Sequence, residues 1–298
     1  MARRRAPPTP SWYGQTMPRR FFAKALLGII VMALPACSGG DTLNARDVYT
    51  IVDEIDVAVR AEALVEPTVL LALDFATNAT SPEAAAKLLT DGLIGAPCVQ
   101  AVQRGANVSL VYSTTQYLCG TDTSLSADFN LSGEQTITFR QADGETTAFD
   151  TVWKGISNGY LTVDGTAHVT TTVTADASSE HLVNALSWVR ASDGKSGHGN
   201  DDRTAAVAST RSWQAPTLTG LRTWESDSGS WELRPVDARL QGWSTGIPFV
   251  GTFAIITPNR LALSLSVTYG ATGPRMTLTD GTHSYSFGIS PNDGTPTE

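Results

Sequence analysis

The stretch YLTVDGTAHVTTTVTADASSEHLVNALSWVR (residues 160–190) decides the fold class. Thr, Val and aromatic side chains dominate it. Apolar residues recur at every second position: Leu161 with Val163, Ala167 with Val169, Leu186 with Trp188. Period two is the signature of a half-buried strand. The sequence predicts strands Tyr160–Val163, Thr166–Thr174 and Leu182–Arg190, with Asp164-Gly165 as a type I′ hairpin turn between the first two.

The same texture extends both ways. Upstream it predicts strands Asn107–Ser113, Gln135–Arg140 and Thr147–Trp153. Downstream it predicts Ala205–Trp213, Gly220–Glu225, Ser230–Leu240, Phe249–Thr257, Arg260–Tyr269, Arg275–Thr279 and Ser284–Ile289, thirteen candidates in all. Asp143-Gly144, Asp193-Gly194 and Asp280-Gly281 are further turn signals. With no helical pattern after Gly95 there are no crossover helices, so the strands pair antiparallel.

Ahead of the strands the periodicity changes. Val48, Ile51, Val52, Ile55 and Val59 recur at spacings of three and four, which predicts a helix over 44–64 that Pro67 stops. In that reading Asp47, Asp53, Glu54 and Arg60 fall elsewhere than the apolar stripe. The apolar run Val69–Phe75 fits strand or helix. Ser81-Pro82 caps and opens a second helix to about Leu89, closed by Gly92 and Gly95. The expected fold is α+β and mostly β: N-terminal helices packed on a long, curved antiparallel meander, closing into a half-barrel or folding into a sandwich.

The first 36 residues differ from all of this. From Met17, which reads as the start of the signal, a basic segment (Arg19, Arg20, Lys24) precedes an apolar run from Ala25 to Leu34. That run is half what a transmembrane helix needs, and it fits a signal-peptide core. Leu34-Pro35-Ala36-Cys37, followed by Ser38, resembles the lipobox of bacterial lipoproteins. The resemblance implies cleavage before Cys37, a diacylglyceryl group on its Sγ, and a membrane anchor of several acyl chains. Arg19-Arg20-Phe21-Phe22-Ala23-Lys24 also resembles a twin-arginine export signal; an ordinary basic segment is the alternative. Ser38 rather than Asp after the cysteine implies the outer membrane over the inner. The resulting organisation is a signal peptide (1–36), lipidated Cys37 and tether (37–43), a helical segment (44–95), a β domain (96–289) and a Pro/Gly-rich tail (290–298).

Of the chain's 21 basic and 29 acidic residues, six basic and no acidic ones lie in that leader, so the remainder carries a net charge of about −14. Such a domain repels polyphosphate, which excludes nucleic acid as a partner. Besides Cys37, the pair Cys98 and Cys119 in an exported chain reads as a disulfide, contributing about 3 kcal/mol.

Motifs for chemistry are weak. Gly155–Gly159 and Gly242–Gly246 match G-x-S-x-G around Ser157 and Ser244, but β-type sequence follows each where a nucleophile elbow needs a helix. Asp164 and His168 follow Ser157 in triad order within the next hairpin. Ser192–Lys195 matches S-x-x-K, and Gly194-Lys195-Ser196 echoes a phosphate loop; both fall on a turn, not a helix. The polar, glycine-rich stretch Asp193–Asp202 reads as a solvated hairpin tip, with calcium as the sharper alternative opposed by Lys195. His168, His181, His198 and His283 lack metal-site spacing. Trp213, Trp224, Trp231 and Trp243 form a candidate ligand-binding face, with core packing as the alternative. The expected function is a membrane-anchored envelope lipoprotein with a structural or interaction role, without catalytic residues, metal or cofactor. The mature domain resembles β-rich envelope lipoproteins and, loosely, half-barrel carriers of lipids. The alternatives are therefore a carrier of an apolar ligand inside the curved sheet and, behind it, a serine hydrolase.

Overall fold

A computed structural model describes residues 42–76, 79–96, 98–113, 131–174, 176–207, 215–240, 249–270, 273–289 and 296–297. Helices α1 (Ala45–Ala76) and α2 (Pro82–Gly92) come first. The strands are β1 (Val99–Arg104), β2 (Asn107–Tyr112), β3 (Ser132–Ala142), β4 (Thr146–Ser157), β5 (Leu161–Val173), β6 (Ser178–Arg190), β7 (Ser196–Val207), β8 (Thr217–Ser226), β9 (Gly229–Leu240), β10 (Phe249–Ile256), β11 (Ala262–Gly270), β12 (Gly273–Thr279), β13 (Ser284–Ile289) and the two-residue β14 (Pro296–Thr297). They form one sheet in sequential order, every neighbour antiparallel, and among the described residues no pairing closes it. The α+β meander expected from the alternation is therefore the fold.

Alternation sets the two faces. Along β6, Leu182, Asn184, Leu186, Trp188 and Arg190 turn inward while Val183, Ala185, Ser187 and Val189 turn outward. The inward face packs on the helices: α1 lies against β4, β5 and β6, and α2 against β1, β2 and β3. Helix α1 buries more than one stripe, because the sheet holds one side and α2 another: Val48, Ile51, Ile55, Ala58 and Val65 on one, Val57, Ala61, Leu64 and Leu71 on the next. Ser81 caps α2 as expected, its Oγ accepting from the Ala84 N–H at 3.1 Å.

Three expectations are corrected. Pro67 does not stop the first helix, which runs on to Ala76. A proline inside a helix costs about 3 kcal/mol. Burial of Val69, Leu71, Ala72 and Leu73 offsets that cost, and the Thr68 hydroxyl donates to the Val65 carbonyl in the interrupted turn. The helices are accordingly one long and one short. Asp164-Gly165 is not a turn: β5 runs through it, and Gly165 faces Leu186 across the ladder. Here β4 bulges between Trp153 and Ile156, and the Asp164 carboxylate accepts the Gly155 N–H at 2.8 Å. The pair serves the bulge.

The third correction concerns the glycine-rich stretch. Most of Asp193–Asp202 is strand β7, and only its start is a turn. A Cβ on Gly197 would lie 2.7 Å from the Trp188 ring, and one on Gly199 would lie 2.8 Å from Trp224 Cβ. The glycines make room for inward-facing tryptophans rather than for a loop. The expected strand Ala205–Trp213 thus begins earlier, and its second half lies outside the described residues, as do the leader, Cys37 and Ser244. The sequence also missed β1.

Candidate functional site: a buried ion network beneath the first helix

The most elaborate chemistry in the molecule lies between α1 and strands β6–β8. At the N-terminal half of α1, Asp53 accepts from Arg190 Nη1 at 2.6 Å and Nη2 at 3.2 Å. Arg190 is the last residue of β6, and it also grips Asp193 at 2.6 and 2.9 Å. Lys195, just before β7, reaches Asp53 and Glu54, both at 2.8 Å. Glu54 accepts the Ser228 hydroxyl at 2.7 Å, and Ser228 Oγ accepts from Trp231 Nε1 at 3.1 Å. Burial works to raise the Asp53 carboxyl, but hydrogen bonds and charge from Arg190 and Lys195 outweigh it and hold it below the ordinary range. Hydrogen bonding from Arg190 lowers Asp193 as well.

About two helical turns further on stands a second cluster. Arg203 of β7 and Arg222 of β8 both contact Glu62. Arg203 also reaches Glu66 at 3.4 Å, and Arg222 reaches Asp201 at 3.3 Å. These five side chains are nearly closed to solvent. Burial pushes Asp201 up to about 6, against the pull of Arg203. It raises Glu66 and Glu180 in the same way. The sheet contributes a register shift between Leu218 and Arg222 on β8. Beside it is a cavity of about 30 Å³ lined by Asp201, Arg203, Arg222, Gly220 and Leu233.

The sequence placed Asp53 and Glu54 off the apolar stripe of the helix, and both reach the sheet all the same. The missed signal was in the strands. Arg190 continues the inward parity of Leu186 and Trp188, and Arg222 shares the parity of Trp224. A cation in phase with apolar residues needs a buried carboxylate near it, and the helix supplies Asp53 and Glu62 beside Asp193 and Asp201 from the sheet side.

Of the candidate tryptophans, Trp224 and Trp231 are brought together. They are a cross-strand pair stacked at 5.8 Å and 4°, both buried on the inward face. Trp213 and Trp243 lie outside the described residues. Cys98 is buried just ahead of β1, while Cys119 and Cys37 lie outside the described residues.

Ser157 ends β4, where its Oγ accepts from the Gly159 N–H at 3.1 Å and from Thr162 Oγ1 at 3.2 Å. Its hydroxyl is thus part of a turn. Ser157→Ala is expected to change stability by about 0.5 kcal/mol or less and to leave reactivity toward a fluorophosphonate probe unchanged; loss of labelling in the variant would revive the hydrolase reading. His168 faces outward, with Nδ1 2.7 Å from Asp150 and Nε2 3.2 Å from Thr170 Oγ1. The other histidines also pair with carboxylates: His181 with Asp202, His198 with Glu225, His283 with Asp280. Asp150, His168, Val183, Asn200, Asp202 and Arg234 line an open trough of about 980 Å³ on the outer face. Among the described residues no three His, Cys, Asp or Glu side chains are arranged to hold a metal ion.

Comparison with protein-family models, with curated proteins and with solved structures gives no match to this chain.

Proposed function

We propose that the protein is a cell-envelope lipoprotein, held to the outer membrane through a lipid on Cys37, whose domain has a structural or interaction role without catalysis. The reading is carried by Leu34-Pro35-Ala36-Cys37 at the end of a basic-then-apolar leader. The domain's geometry fits a short anchor. Leu43, six residues after Cys37, is already buried, and its N–H is donated to Asp280 Oδ2 at 2.7 Å. Five residues of tether span at most about 18 Å. The anchor therefore holds the start of α1 and the β12–β13 turn close to the bilayer. Among the described residues no helix is long and apolar enough to cross a membrane.

The same geometry favours an interaction role over an apolar-ligand carrier, since α1 occupies the inward face where such a ligand would sit. It gives the hydrolase reading no support, since the hydrogen-bond partners of Ser157 are a backbone amide and a threonine. Cys98 and Cys119 form a disulfide in this proposal, as expected of an exported pair.

The test is expression in a bacterial host fed an alkynyl palmitate. The wild-type chain is expected to carry the label and to sediment with outer membranes. Cys37→Ser is expected to be unlabelled and released from the membrane. An unlabelled wild-type chain would sink the anchor. Thiol alkylation before and after reduction tests the disulfide: two cysteines reactive without reductant in the exported chain would rule it out.

A further inference from the structure

The cluster around Asp201 is unbalanced. From α1 it receives Glu62 and Glu66, from β6 Glu180, and from β7 Asp201 itself, with Asp202 beside it facing outward. Among the described residues only Arg203 of β7 and Arg222 of β8 answer them. Four inward carboxylates against two guanidiniums would leave net negative charge in a water-poor interior, a costly arrangement. Neutralising one or two carboxyls with protons removes the cost. The adjoining 30 Å³ cavity is lined by Asp201, Arg203 and Arg222 and has the size and polar partners to hold one water, which gives those protons an exchange partner.

We propose that this cluster is a proton-operated latch: protons bound among Glu66, Glu180 and Asp201 accompany seating of the C-terminal half of α1 on β6–β8, and their loss loosens it. A permanently seated helix has no need of the arrangement, because apolar residues of similar size hold a helix at least as well as a buried ion network. The inference does not depend on the lipid anchor.

The sign follows from proton linkage. Burial raises Glu66, Glu180 and Asp201, the last to about 6. A carboxyl raised on folding contributes fully below its unfolded value and loses that contribution as pH rises through the folded one. Asp53 and Asp193 are lowered, so their clamp holds at neutral pH and weakens only in acid. Between about pH 5 and 7.5 the C-terminal half of α1 therefore loosens while its first turns, held through Asp53, stay fixed; Asp56, raised by burial against the pull of Arg60, lies between the two.

Hydrogen exchange on the full chain, corrected for intrinsic rates, reads this directly. The opening constant of amides 58–72 is expected to rise about tenfold or more from pH 5 to 7.5, and that of amides 45–54 to stay level. Asp201→Asn, which cannot ionise, is expected to reduce the rise to about threefold or less. Asp74, also pushed up to about 6 but on the exposed side of α1, is the control; Asp74→Asn is expected to keep most of the rise. A wild-type chain with equal opening at both pH values overturns the latch, and so does an Asp201→Asn chain with the wild-type rise. If Asp201→Asn does not fold, Glu66→Gln is read in its place; should both fail, the wild-type profile decides alone.

Discussion

Glu62→Ala is expected to destabilise the domain by about 3 kcal/mol, toward the lower end of what breaking a buried ion pair costs. Glu62 is 5% exposed and, like Asp201, is contacted by both Arg203 and Arg222. Removing it leaves two guanidiniums, each with little access to water, short of their principal acceptor. Glu66, Glu180 and Asp201 remain nearby, so the charge is still answered, and for that reason the loss falls at the low end. Glu62→Gln keeps the volume and one acceptor oxygen and is expected to cost about half as much. The discriminating variant replaces Glu62, Arg203 and Arg222 together by Met. If the network serves register and switching rather than stability, the triple variant recovers most of the loss in urea unfolding, because three apolar side chains need no desolvated partner. A triple variant less stable than Glu62→Ala would show that the ion pairs themselves hold α1 in place.

The fold class was legible because strand parity is a local property. Leu182, Leu186 and Trp188 announce an inward face whatever lies opposite, and thirteen such runs without a helix between them leave only a meander. Boundaries failed where a local signal had a non-local use. Asp164-Gly165 has turn chemistry, but the bulge on β4 uses it. Gly197 and Gly199 look like loop glycines, but the rings of Trp188 and the backbone of Trp224 need their missing Cβ atoms. Pro67 is a local breaker overruled by apolar burial on both sides of it. The ion network was illegible for the same reason. Asp53 and Glu62 look like the polar face of an amphipathic helix until the sheet wraps far enough to bring Arg190, Arg203 and Arg222 against them. Helical periodicity reports one buried stripe, and a helix enclosed on several sides breaks that reading.

Trp153→Ala carries the other large effect, about 3–5 kcal/mol, from the cavity left by an indole that is 2% exposed. Its position explains why collapse around the gap is limited. The ring joins β4 to α1, with Nε1 donating to Thr68 Oγ1 at 2.9 Å, and Thr68 in turn donates to Val65 O in the turn that Pro67 interrupts. One strand over, a second polar chain runs from the Tyr112 hydroxyl to Gln135 Oε1 and from Gln135 Nε2 to Thr151 Oγ1, equally buried. Both chains must keep their partners, so the strands around Trp153 cannot slide inward to fill space without breaking a buried hydrogen bond. Trp153→Phe separates the two contributions, keeping most of the volume and losing the donor; about 1–2 kcal/mol is expected. Thr68→Val removes the other end of the same bond. In a double-mutant cycle the pair is expected to couple by about 1 kcal/mol, the double variant losing less than the sum of the singles. Additive losses would mean that the indole holds α1 by packing alone, and that the Thr68 hydroxyl serves only the carbonyl of Val65.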